Sequence, residues 1–506
     1  MIEKRGILQC NLIAVATLVF ACLSFADDAD SIQVPVATGG WVYDYDIQLG
    51  DNSTLGPLQR WAAANSKEEI FLVGGVALDI PWQSHYGDGL IVKLSPKGIP
   101  LWGKTIGGPK ADYFQFISRT SDDGSILAGY TNTSGYYFVE TDGPIWLVKL
   151  KADGTLVWQK SYVSPVKGDA TIDYLAQTTD KGYVLVTEGE KSGCCILKLD
   201  QNGAIVWQRA YPRVFWDVLG FWDGRQGFAR TADNGLFLPT SDTTPSGDVS
   251  WPSLVKFDSS GAVAWEKLYS FPFLPDSDNY GMTASNCRVT ETVDGNYAIA
   301  GLGTMATSDQ YLYAVKVSPS GDPLWSSVIK LPINIEMFTK AKVDGILPTS
   351  DNGITVSFKW EDSSADNQGE RDVIHFNKAG IVSSCNRWIQ NANADNPFVS
   401  SEYAFSSHLK DGGGLGISDV GNIDDDGTGG RLIRWSNTAR FGNGSQCTPS
   451  TKKWIATPGT CTSIDIDVSN YPTPSQAHFK VVPTKYPLVT MNPKKGDIII
   501  VSAVCK

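Results

Sequence analysis

One alternating pattern of apolar and polar positions recurs along this chain. In residues 145–163, IWLVKLKADGTLVWQKSYV, an apolar run with one cation precedes a polar turn ending in Gly and an alternating stretch that carries Trp. Alternation with a period of two predicts β-strands, and the short Gly-bearing turn predicts a hairpin between them. The copies are marked by Lys93, Gly98 and Trp102; Lys149, Gly154 and Trp158; Lys198, Gly203 and Trp207; Lys256, Gly261 and Trp265; Lys316, Gly321 and Trp325; His375 and Gly380; and Arg434.

A second marker precedes the copies, a polar turn with Asp and Gly followed by a short β-rich run. Together the two markers define seven units of about 50–60 residues, each with four predicted strands. Units of this size and strand content predict an all-β, seven-bladed β-propeller over residues 41–440. The turns contain Gly124, Gly182, Gly235, Gly295, Gly353 and Gly412, and residues 64–76 form a looser first copy.

The two ends of the repeat region differ from its interior. Residues 41–49, WVYDYDIQL, alternate like the last strand of a unit but precede the first complete unit, whereas the seventh unit lacks a clear fourth strand. We therefore expect this N-terminal strand to complete the last blade and remove an open sheet edge. Residues 441–506 depart from the repeat and contain three strand-like runs, which predict a small C-terminal β appendage.

The first residues predict export. Lys4 and Arg5 precede an apolar run that is too short to span a bilayer, so residues 1–26 are expected to be a signal peptide and residues 27–40 an exposed leader. No later segment is apolar enough to be a membrane helix. The net charge of −12 argues against nucleic-acid partners. We expect a secreted, periplasmic or cell-surface protein whose partner is an extracellular or periplasmic protein or glycan.

We expect the repeated cations and Trp residues to stabilise the fold rather than to form a binding site. Regular Trp residues on the outer strands are expected to fill the space between sheets. A half-buried cation needs a partner, and the turn acids are the candidates, so we expect one ion pair per unit. The alternative is a ring of positive charge that binds an anion on the axis. The candidate acids are Asp123, Asp180, Asp233, Asp294 and Asp351.

The copies of the form LxKLDxxGxxxW resemble the repeats of the PQQ-like, quinoprotein-type β-propellers. The resemblance implies a propeller and an exported location, and it leaves catalysis open, because that superfamily includes non-catalytic scaffolds as well as quinone dehydrogenases. Adjacent Cys194 and Cys195 resemble the vicinal disulfide of such dehydrogenases. A vicinal ring would distort a strand, so we expect two separate cysteines and no quinone cofactor.

The remaining cysteines concentrate near the C-terminus. Outside the signal peptide the chain has seven, and Cys447 and Cys461 flank a short stretch that a disulfide could close. No CxxCH, CxxC or HxxxH spacing occurs, which argues against haem c and against a Cys/His zinc site.

One acidic stretch offers metal-binding chemistry. Asn422, Asp424 and Asp426 supply alternating oxygen ligands before Gly427, like the first half of a calcium loop. Position twelve of that loop is Ile433 rather than an acid, which excludes an EF-hand. The stretch is either a shorter calcium-binding loop or an acidic turn in solvent, and the latter is favoured.

The long connections between units differ from one another and are rich in aromatic residues. They are predicted to lie at one end of the sheets, opposite the short turns, and binding residues concentrate on such loops. We expect a non-catalytic binding module that recognises a macromolecule or glycan there. The alternatives are a quinone-dependent oxidoreductase and a structural component of a surface assembly. The predicted contacts are Trp82, His85, Tyr86, Tyr136, Tyr137, Phe215, Trp216, Phe221, Trp222 and Trp251.

Overall fold

The described part of the chain consists of β-strands and tight turns. The computed structural model describes residues 41–47, 58–75, 87–108, 110–133, 143–163, 171–189, 193–211, 227–243, 250–271, 283–304, 309–334, 341–361, 369–389, 404–409, 414–424, 427–435, 457–459, 462–466, 480–483, 488–491 and 498–505. These residues contain no helix, in agreement with the all-β expectation. Accordingly, none of them forms a helix with the length and hydropathy that a membrane crossing needs.

The described strands fall into seven antiparallel sheets, numbered here in chain order. Strand β1 is Trp41–Ile47. Sheet 1 contains β2 (Leu58–Ala64), β3 (Ile70–Gly75), β4 (Gly89–Leu94) and β5 (Pro100–Ile106). Sheet 2 contains β6 (Ala111–Arg119), β7 (Ser125–Thr133), β8 (Ile145–Leu150) and β9 (Leu156–Val163). Sheet 3 contains β10 (Thr171–Gln177), β11 (Tyr183–Gly189), β12 (Gly193–Leu199) and β13 (Ile205–Tyr211).

The next three sheets repeat this order. Sheet 4 contains β14 (Ala229–Arg230), β15 (Leu236–Thr243), β16 (Ser250–Phe257) and β17 (Val263–Ser270). Sheet 5 contains β18 (Thr283–Glu291), β19 (Tyr297–Thr304), β20 (Asp309–Val317) and β21 (Pro323–Asn334). Sheet 6 contains β22 (Ala341–Pro348), β23 (Ile354–Glu361), β24 (Gly369–Phe376) and β25 (Val382–Ile389).

Sheet 7 contains strands from both ends of the repeat region. It consists of β26 (Ala404–His408), β27 (Gly414–Asp424), β28 (Gly427–Trp435) and then β1. Strand β1 pairs antiparallel with β28, with Trp41 opposite Arg434. The N-terminal strand therefore completes the last sheet, as its isolated position in the sequence predicted.

In sheets 1–6, where both turns are described, each turn contains one residue in the left-handed region. In the first hairpin of sheet 2, the Thr120 amide donates to the Gly124 carbonyl at 3.0 Å, and Asp123 has a φ of 59°. In the second hairpin, the Gly154 amide donates to the Lys151 carbonyl at 2.9 Å, and Gly154 has a φ of 77°. A turn followed by a left-handed residue is the usual three-residue hairpin loop, which explains the recurring Gly of the second turn.

Neighbouring sheets pack through the repeated Trp residues. A Cβ added at Gly261 would lie 2.7 Å from the Trp207 ring of the preceding sheet, so glycine is required there for space as well as for its φ of 81°. The Trp207 indole also donates to the Ser259 carbonyl at 2.9 Å. The expectation that these rings fill the space between sheets is confirmed. The same contact joins Trp102 to Gly154, Trp158 to Gly203, Trp265 to Gly321 and Trp325 to Gly380.

The sheets contact one another in chain order, and the last contacts the first. Strand β2 packs on β6, β6 on β10, β15 on β18, β18 on β22 and β22 on β26, while β26 and β27 pack on β2. Sheets 3 and 4 are joined by the Trp207 contact and by Arg230, whose guanidinium donates to the Gln177 carbonyl at 2.7 Å. A closed ring of four-stranded antiparallel sheets is the arrangement of a β-propeller.

The first strand of six sheets is interrupted at an equivalent point. There the register shifts, leaving one residue without an opposite partner on the second strand, or two in sheet 5. Bulges of this kind increase the twist of an edge strand and make it a poor template for pairing with another chain. The extra residues are Arg60, Gln115, Asp173, Asn286 with Cys287, Asp344 and Ser406.

The described strands of the C-terminal region, the predicted β appendage, pair with the repeat sheets rather than with one another. Its strands each add a fifth strand to the outer edge of a repeat sheet, in sheets 5, 4, 2, 1 and 7 in turn. Open outer edges present unpaired backbone groups, and these short strands satisfy them. Ala37–Lys506 accordingly form one compact unit. The tail strands are β29 (Thr457–Gly459), β30 (Thr462–Ile466), β31 (Lys480–Pro483), β32 (Leu488–Met491) and β33 (Ile498–Cys505).

Candidate functional site

The two ends of the sheets carry different chemistry, and the short-turn end is the better described. We call short-turn end the one that bears the short turns after β2, β4 and their equivalents, and long-loop end the opposite one. At the short-turn end of sheet 4, Lys256 Nζ lies 2.7 Å from Asp233 Oδ1 and 2.6 Å from the Thr231 hydroxyl. The Thr231 hydroxyl also donates to Asp233. The predicted cation is therefore held by a Thr-x-Asp turn.

This arrangement repeats in the neighbouring sheets. The Lys side chains are nearly buried, at 4–8% exposed, so each carries its charge next to a carboxylate in a largely dry environment. The expected partners of Lys198, Lys256, Lys316 and His375 are confirmed. The pairs are Lys93 with Glu69 at 2.8 Å, Lys149 with Asp122 at 3.0 Å, Lys198 with Asp180 at 2.9 Å, Lys316 with Asp294 at 2.7 Å and His375 with Asp351 at 3.3 Å.

The expected partner of Lys149 is wrong by one residue. The acid that pairs with it is Asp122, whereas Asp123 occupies the left-handed position of the turn. From there the Asp123 carboxylate accepts the Ser66 amide of sheet 1 at 3.1 Å. The turn contains two adjacent acids, and the one two residues after Thr120, Asp122, is the one that faces the cation.

The same left-handed position bonds sheets together elsewhere. The Asn234 side-chain oxygen accepts the Thr179 amide at 2.9 Å and the Thr179 hydroxyl at 2.6 Å, which ties sheet 4 to sheet 3. In sheet 3 the left-handed residue of the turn is Lys181, whose side chain cannot accept a hydrogen bond. Gln177 of the same sheet accepts the Ser121 amide of sheet 2 at 2.6 Å instead. At the short-turn end, side-chain hydrogen bonds therefore link sheets 1 to 4 in series.

The charges at this end are matched. Burial tends to raise the pKa of Asp294, but hydrogen bonds from Lys316 and Thr292 outweigh it and lower the pKa to about 2. Burial lowers the pKa of Lys256, against the opposing effect of Asp233. The five lysines and the histidine of the column, those in sheets 1–6, each have an acidic neighbour, so the structure favours ion pairs over an axial ring of unmatched positive charge.

The described part of the long-loop end contains a carboxylate pair between sheets 1 and 2. A Cβ at Gly107 would collide with Asp88 Oδ1 and would lie 3.0 Å from Asp112 Oδ2, so the two carboxylates flank this glycine. Burial, followed by the charge of Asp112, raises the pKa of Asp88.

Asp112 is fully buried and is bonded to the connection that enters β6. Its carboxylate accepts the Gly108 amide at 2.7 Å and the Thr131 hydroxyl, and its own amide donates to the Gly87 carbonyl at 2.8 Å. Asp112 thus fixes the bases of the first long loops rather than presenting itself to solvent. Sequence reasoning missed this pair because its members lie far apart in the chain.

The predicted aromatic contacts fall mostly outside the described residues. Nine of the ten lie there: Trp82, His85, Tyr86, Tyr136, Tyr137, Phe215, Trp216, Phe221 and Trp222. The exception is Trp251, which lies on β16 opposite Asp242 and is 3% exposed, with its ring 5.9 Å from that of Phe271. The expectation of an exposed loop ring at Trp251 is wrong, because the strand begins before it and buries the indole.

The proposed calcium ligands lie at the hairpin between β27 and β28. Asn422 and Asp424 belong to β27 and Asp426 lies outside the described residues, so the metal assignment stays a prediction. Asp424 pairs with Gly427, so the connection has the length of a two-residue hairpin loop. Across the described residues, no three His, Cys, Asp or Glu side chains form a group that could hold a metal ion.

The cysteine pair lies in regular sheet. Cys194 and Cys195 face Tyr211 and Ala210 in an unshifted register, as separate cysteines would. Cys447 and Cys461 lie outside the described residues, so their disulfide stays a prediction. Buried Cys287 hydrogen-bonds to the Tyr313 hydroxyl at 2.8 Å, and burial raises its pKa to about 11, so it is an unreactive thiol.

A second column of cations went unnoticed in the sequence. Two residues after the Trp, sheets 1–4 carry Lys104, Lys160, Arg209 and Lys267, whose charged groups lie 5.1–5.9 Å from the Trp ring centroids. Such cation–π contacts cover the outer face of the indole. The motif Trp-x-Lys/Arg in WGK, WQK, WQR and WEK was the available indication.

Comparisons with known proteins add the following. No family model matches the chain, and no curated protein matches it. Among solved structures, it is similar to the WD40 domain of SCAP from fission yeast, at 10% identity over 78% of this chain and 98% of that one, with a TM-score of 0.36. A protein of unknown function from Bacteroides caccae has 10% identity over 62% and 92% of the two chains and a TM-score of 0.32. The tail fibre of Staphylococcus aureus phage P68 has 9% identity over 82% and 96%, with a TM-score of 0.24. At these TM-scores the likenesses carry no argument about function.

Proposed function

We propose that this protein is an exported, seven-bladed, non-catalytic β-propeller that binds a macromolecule or glycan with its long-loop end. One observation carries the proposal. The short-turn end is occupied by near-identical turns that are bonded to their neighbours, as Asn234 is to Thr179, which leaves it little freedom to vary. Variation in length and composition is confined to the other end, and a rigid scaffold with variable loops is the usual design of a binding protein.

The chemistry of the long loops suggests the class of ligand. They carry Trp82 and Trp216 among other aromatic residues, and aromatic rings on a rigid support suit sugar rings and protein hot spots. The buried Asp112 supports the base of the first of these loops by bonding both Gly108 and Thr131. No metal or cofactor is required for recognition of this kind, although the acidic hairpin with Asn422, Asp424 and Asp426 stays a candidate for calcium.

The PQQ-like resemblance is compatible with this proposal and by itself leaves catalysis open. The feature that suggested a quinone enzyme was the Cys194–Cys195 pair, and the regular register through both residues supports two separate cysteines, because a vicinal disulfide would distort the strand. We therefore place the protein with the non-catalytic propellers of that type and propose a secreted, periplasmic or cell-surface location.

The test is ligand capture on a glycan array and on immobilised extracellular proteins, using the mature chain. Trp82→Ala combined with Trp216→Ala is expected to abolish capture with little change in Tm. The matched control is Trp207→Ala, an architectural ring, which should lower Tm and spare capture at temperatures where the protein is folded. Early unfolding of the double variant would show that its rings belong to the core, and the proposal would then fail.

A further inference from the structure

Sheet 6 departs from the repeat at two positions that contact each other. It has His375 at the register position where sheets 1–5 carry Lys. It also has exposed Ser383, three residues after the glycine of the second turn, where sheets 1–5 have an exposed aliphatic residue. The hydroxyl oxygen of Ser383 lies 2.8 Å from His375 Nδ1. Two departures that meet in one hydrogen bond favour a role separate from packing between sheets. The aliphatic residues of sheets 1–5 are Leu101, Val157, Val206, Ala264 and Leu324.

The groups around His375 decide which ring nitrogen carries the proton. Nε2 lies 3.3 Å from Asp351 Oδ1 and 3.3 Å from the Thr349 hydroxyl oxygen. The Thr349 hydroxyl already donates to Asp351 at 2.5 Å, so both groups that face Nε2 are acceptors. A neutral imidazole therefore carries its proton on Nε2, which leaves Nδ1 free to accept the hydrogen bond of the Ser383 hydroxyl.

Ser383, His375 and Asp351 have the arrangement of a nucleophile, a base and a group that orients the base. A hydroxyl within hydrogen-bond reach of an imidazole that a third group holds in place is the mark of an activated nucleophile. The His375 side chain is 14% exposed and bonded at both ring nitrogens, whereas Ser383 is open to solvent. The Lys side chains of sheets 1–5 have no acceptor atom and cannot act as a base when charged.

The surface beside Ser383 suggests the class of reagent. Ile381, two residues earlier in the chain, is 54% exposed. Alternate residues of an extended segment share a face, so an apolar side chain lies on the same face as the hydroxyl. Such a surface suits an ester with an apolar acyl or aryl group.

We propose that Ser383 is a nucleophilic serine that accepts an acyl group from an activated ester, with His375 as its general base. Ser383 Oγ attacks the acyl carbon while its proton passes to His375 Nδ1. The ester oxygen leaves with its bonding electron pair and takes that proton from His375, which yields the acylated serine and an alcohol. Asp351 is a positioning residue that holds the Nε2 proton and stabilises the imidazolium.

This inference goes beyond the proposed function. One acylation for each chain is a modification of the protein rather than a catalytic turnover. Ser383 follows the second turn of sheet 6 and therefore lies at the short-turn end, away from the proposed binding surface. Ligand capture by the long loops and acylation of Ser383 can thus be measured, and can fail, independently.

The probe is p-nitrophenyl acetate, incubated with the full chain and followed by peptide mapping of the acetylated residues. Ser320 is the matched internal control, because it is exposed on the second turn of sheet 5 and donates to Asp322 at 2.7 Å instead of to an imidazole. We expect acetylation of Ser383 to be about a hundredfold faster than that of Ser320, a typical contribution of a general base. Its rate should level off once imidazole side chains are neutral, whereas the rate at Ser320 should keep rising with pH.

His375→Lys restores the residue of the other sheets, so the ion pair with Asp351 should persist while the base is lost. Acetylation of Ser383 should then fall to the rate of Ser320, with Tm near that of the wild type. His375→Gln, which also lacks a base, should give the same loss. Equal rates at Ser383 and Ser320 in the wild type would overturn the proposal, as would acetylation confined to His375. Acetylation of Ser383 that survives in a folded variant without His375 would also overturn it.

Discussion

The two ends of the sheets are built from the same strands, yet only one of them repeats from sheet to sheet. At the short-turn end, the first turns of sheets 2–6 share one length and a Thr-x-Asp sequence, and side-chain hydrogen bonds link sheets 1–4 there. At the long-loop end, the connections between the same strands share neither length nor sequence. The repeated residues therefore reflect the requirements of packing between sheets, and the residues that do not repeat are the ones to examine for function.

The largest effect is expected from a glycine at the short-turn end. Gly261→Ala places a Cβ 2.7 Å from the Trp207 ring at a φ of 81° and should cost about 2–4 kcal/mol in the free energy of unfolding. Gly295→Ala is the matched control, because Gly295 has a φ of 76° and open space around its Cβ, so only backbone strain of about 1 kcal/mol is expected. Denaturant unfolding measures both; equal losses would mean that Trp207 does not pack on this turn.

The buried cation comes next. Lys256→Met removes the hydrogen bonds to Asp233 and Thr231 and should cost about 1–3 kcal/mol, less than for a fully buried pair because Asp233 is 61% exposed. Lys267→Met, in the same sheet, breaks an ion pair whose acid is also 61% exposed and should destabilise the protein less than Lys256→Met does, because solvent screens that pair. If Lys267→Met lowers the free energy of unfolding more than Lys256→Met does in chemical denaturation, the side chain of Lys256 is solvated.

A single link between sheets should have a smaller effect. Asn234→Ala removes the acceptor of the Thr179 amide and hydroxyl, and the expected cost is about 1 kcal/mol. Asn234→Asp keeps an acceptor and should restore most of the lost stability. If both variants unfold like the wild type in urea, the short-turn end does not depend on bonds between sheets.

The smallest expected effect lies at the base of the long loops, and it has the opposite sign. The pKa of Asp88 is raised in the folded protein, so Asp88 favours folding when protonated and opposes it as the pH rises through its folded pKa. Asp88→Asn should therefore raise Tm slightly at neutral pH, and the gain should vanish in acid. A gain that is independent of pH would contradict the carboxylate repulsion with Asp112.

Much of the fold follows from local patterns, and the misses have physical causes. Period-two alternation placed the strands, and the isolated strand at Trp41 identified the closure of sheet 7. The partner of Lys149 could have been identified, because the Thr-x-Asp spacing of the other units corresponds to Thr120 and Asp122 here rather than to Asp123. Trp251 follows a turn-like sequence, but pairing of β16 with β15 extends the strand through it.

The tail shows the limit of sequence reasoning most clearly. Its strand-like runs are visible in the residues, but the backbone bonds that place β30 on β17 or β32 on β5 carry little side-chain information. Pairing over such long sequence separations is therefore not encoded in a local pattern. The binding residues of the long loops likewise stay predictions, since no repeat marks them.

The central claim is that stability resides at one end of the sheets and binding at the other. Its most direct test measures Tm and ligand capture together for two double variants, Thr179→Ala with Asn234→Ala and Trp82→Ala with Trp216→Ala. The account predicts that the first lowers Tm and keeps capture in the folded state, whereas the second keeps Tm and loses capture. If the short-turn variant loses capture while it remains folded, or if the Trp variant keeps it, the division between the two ends is contradicted.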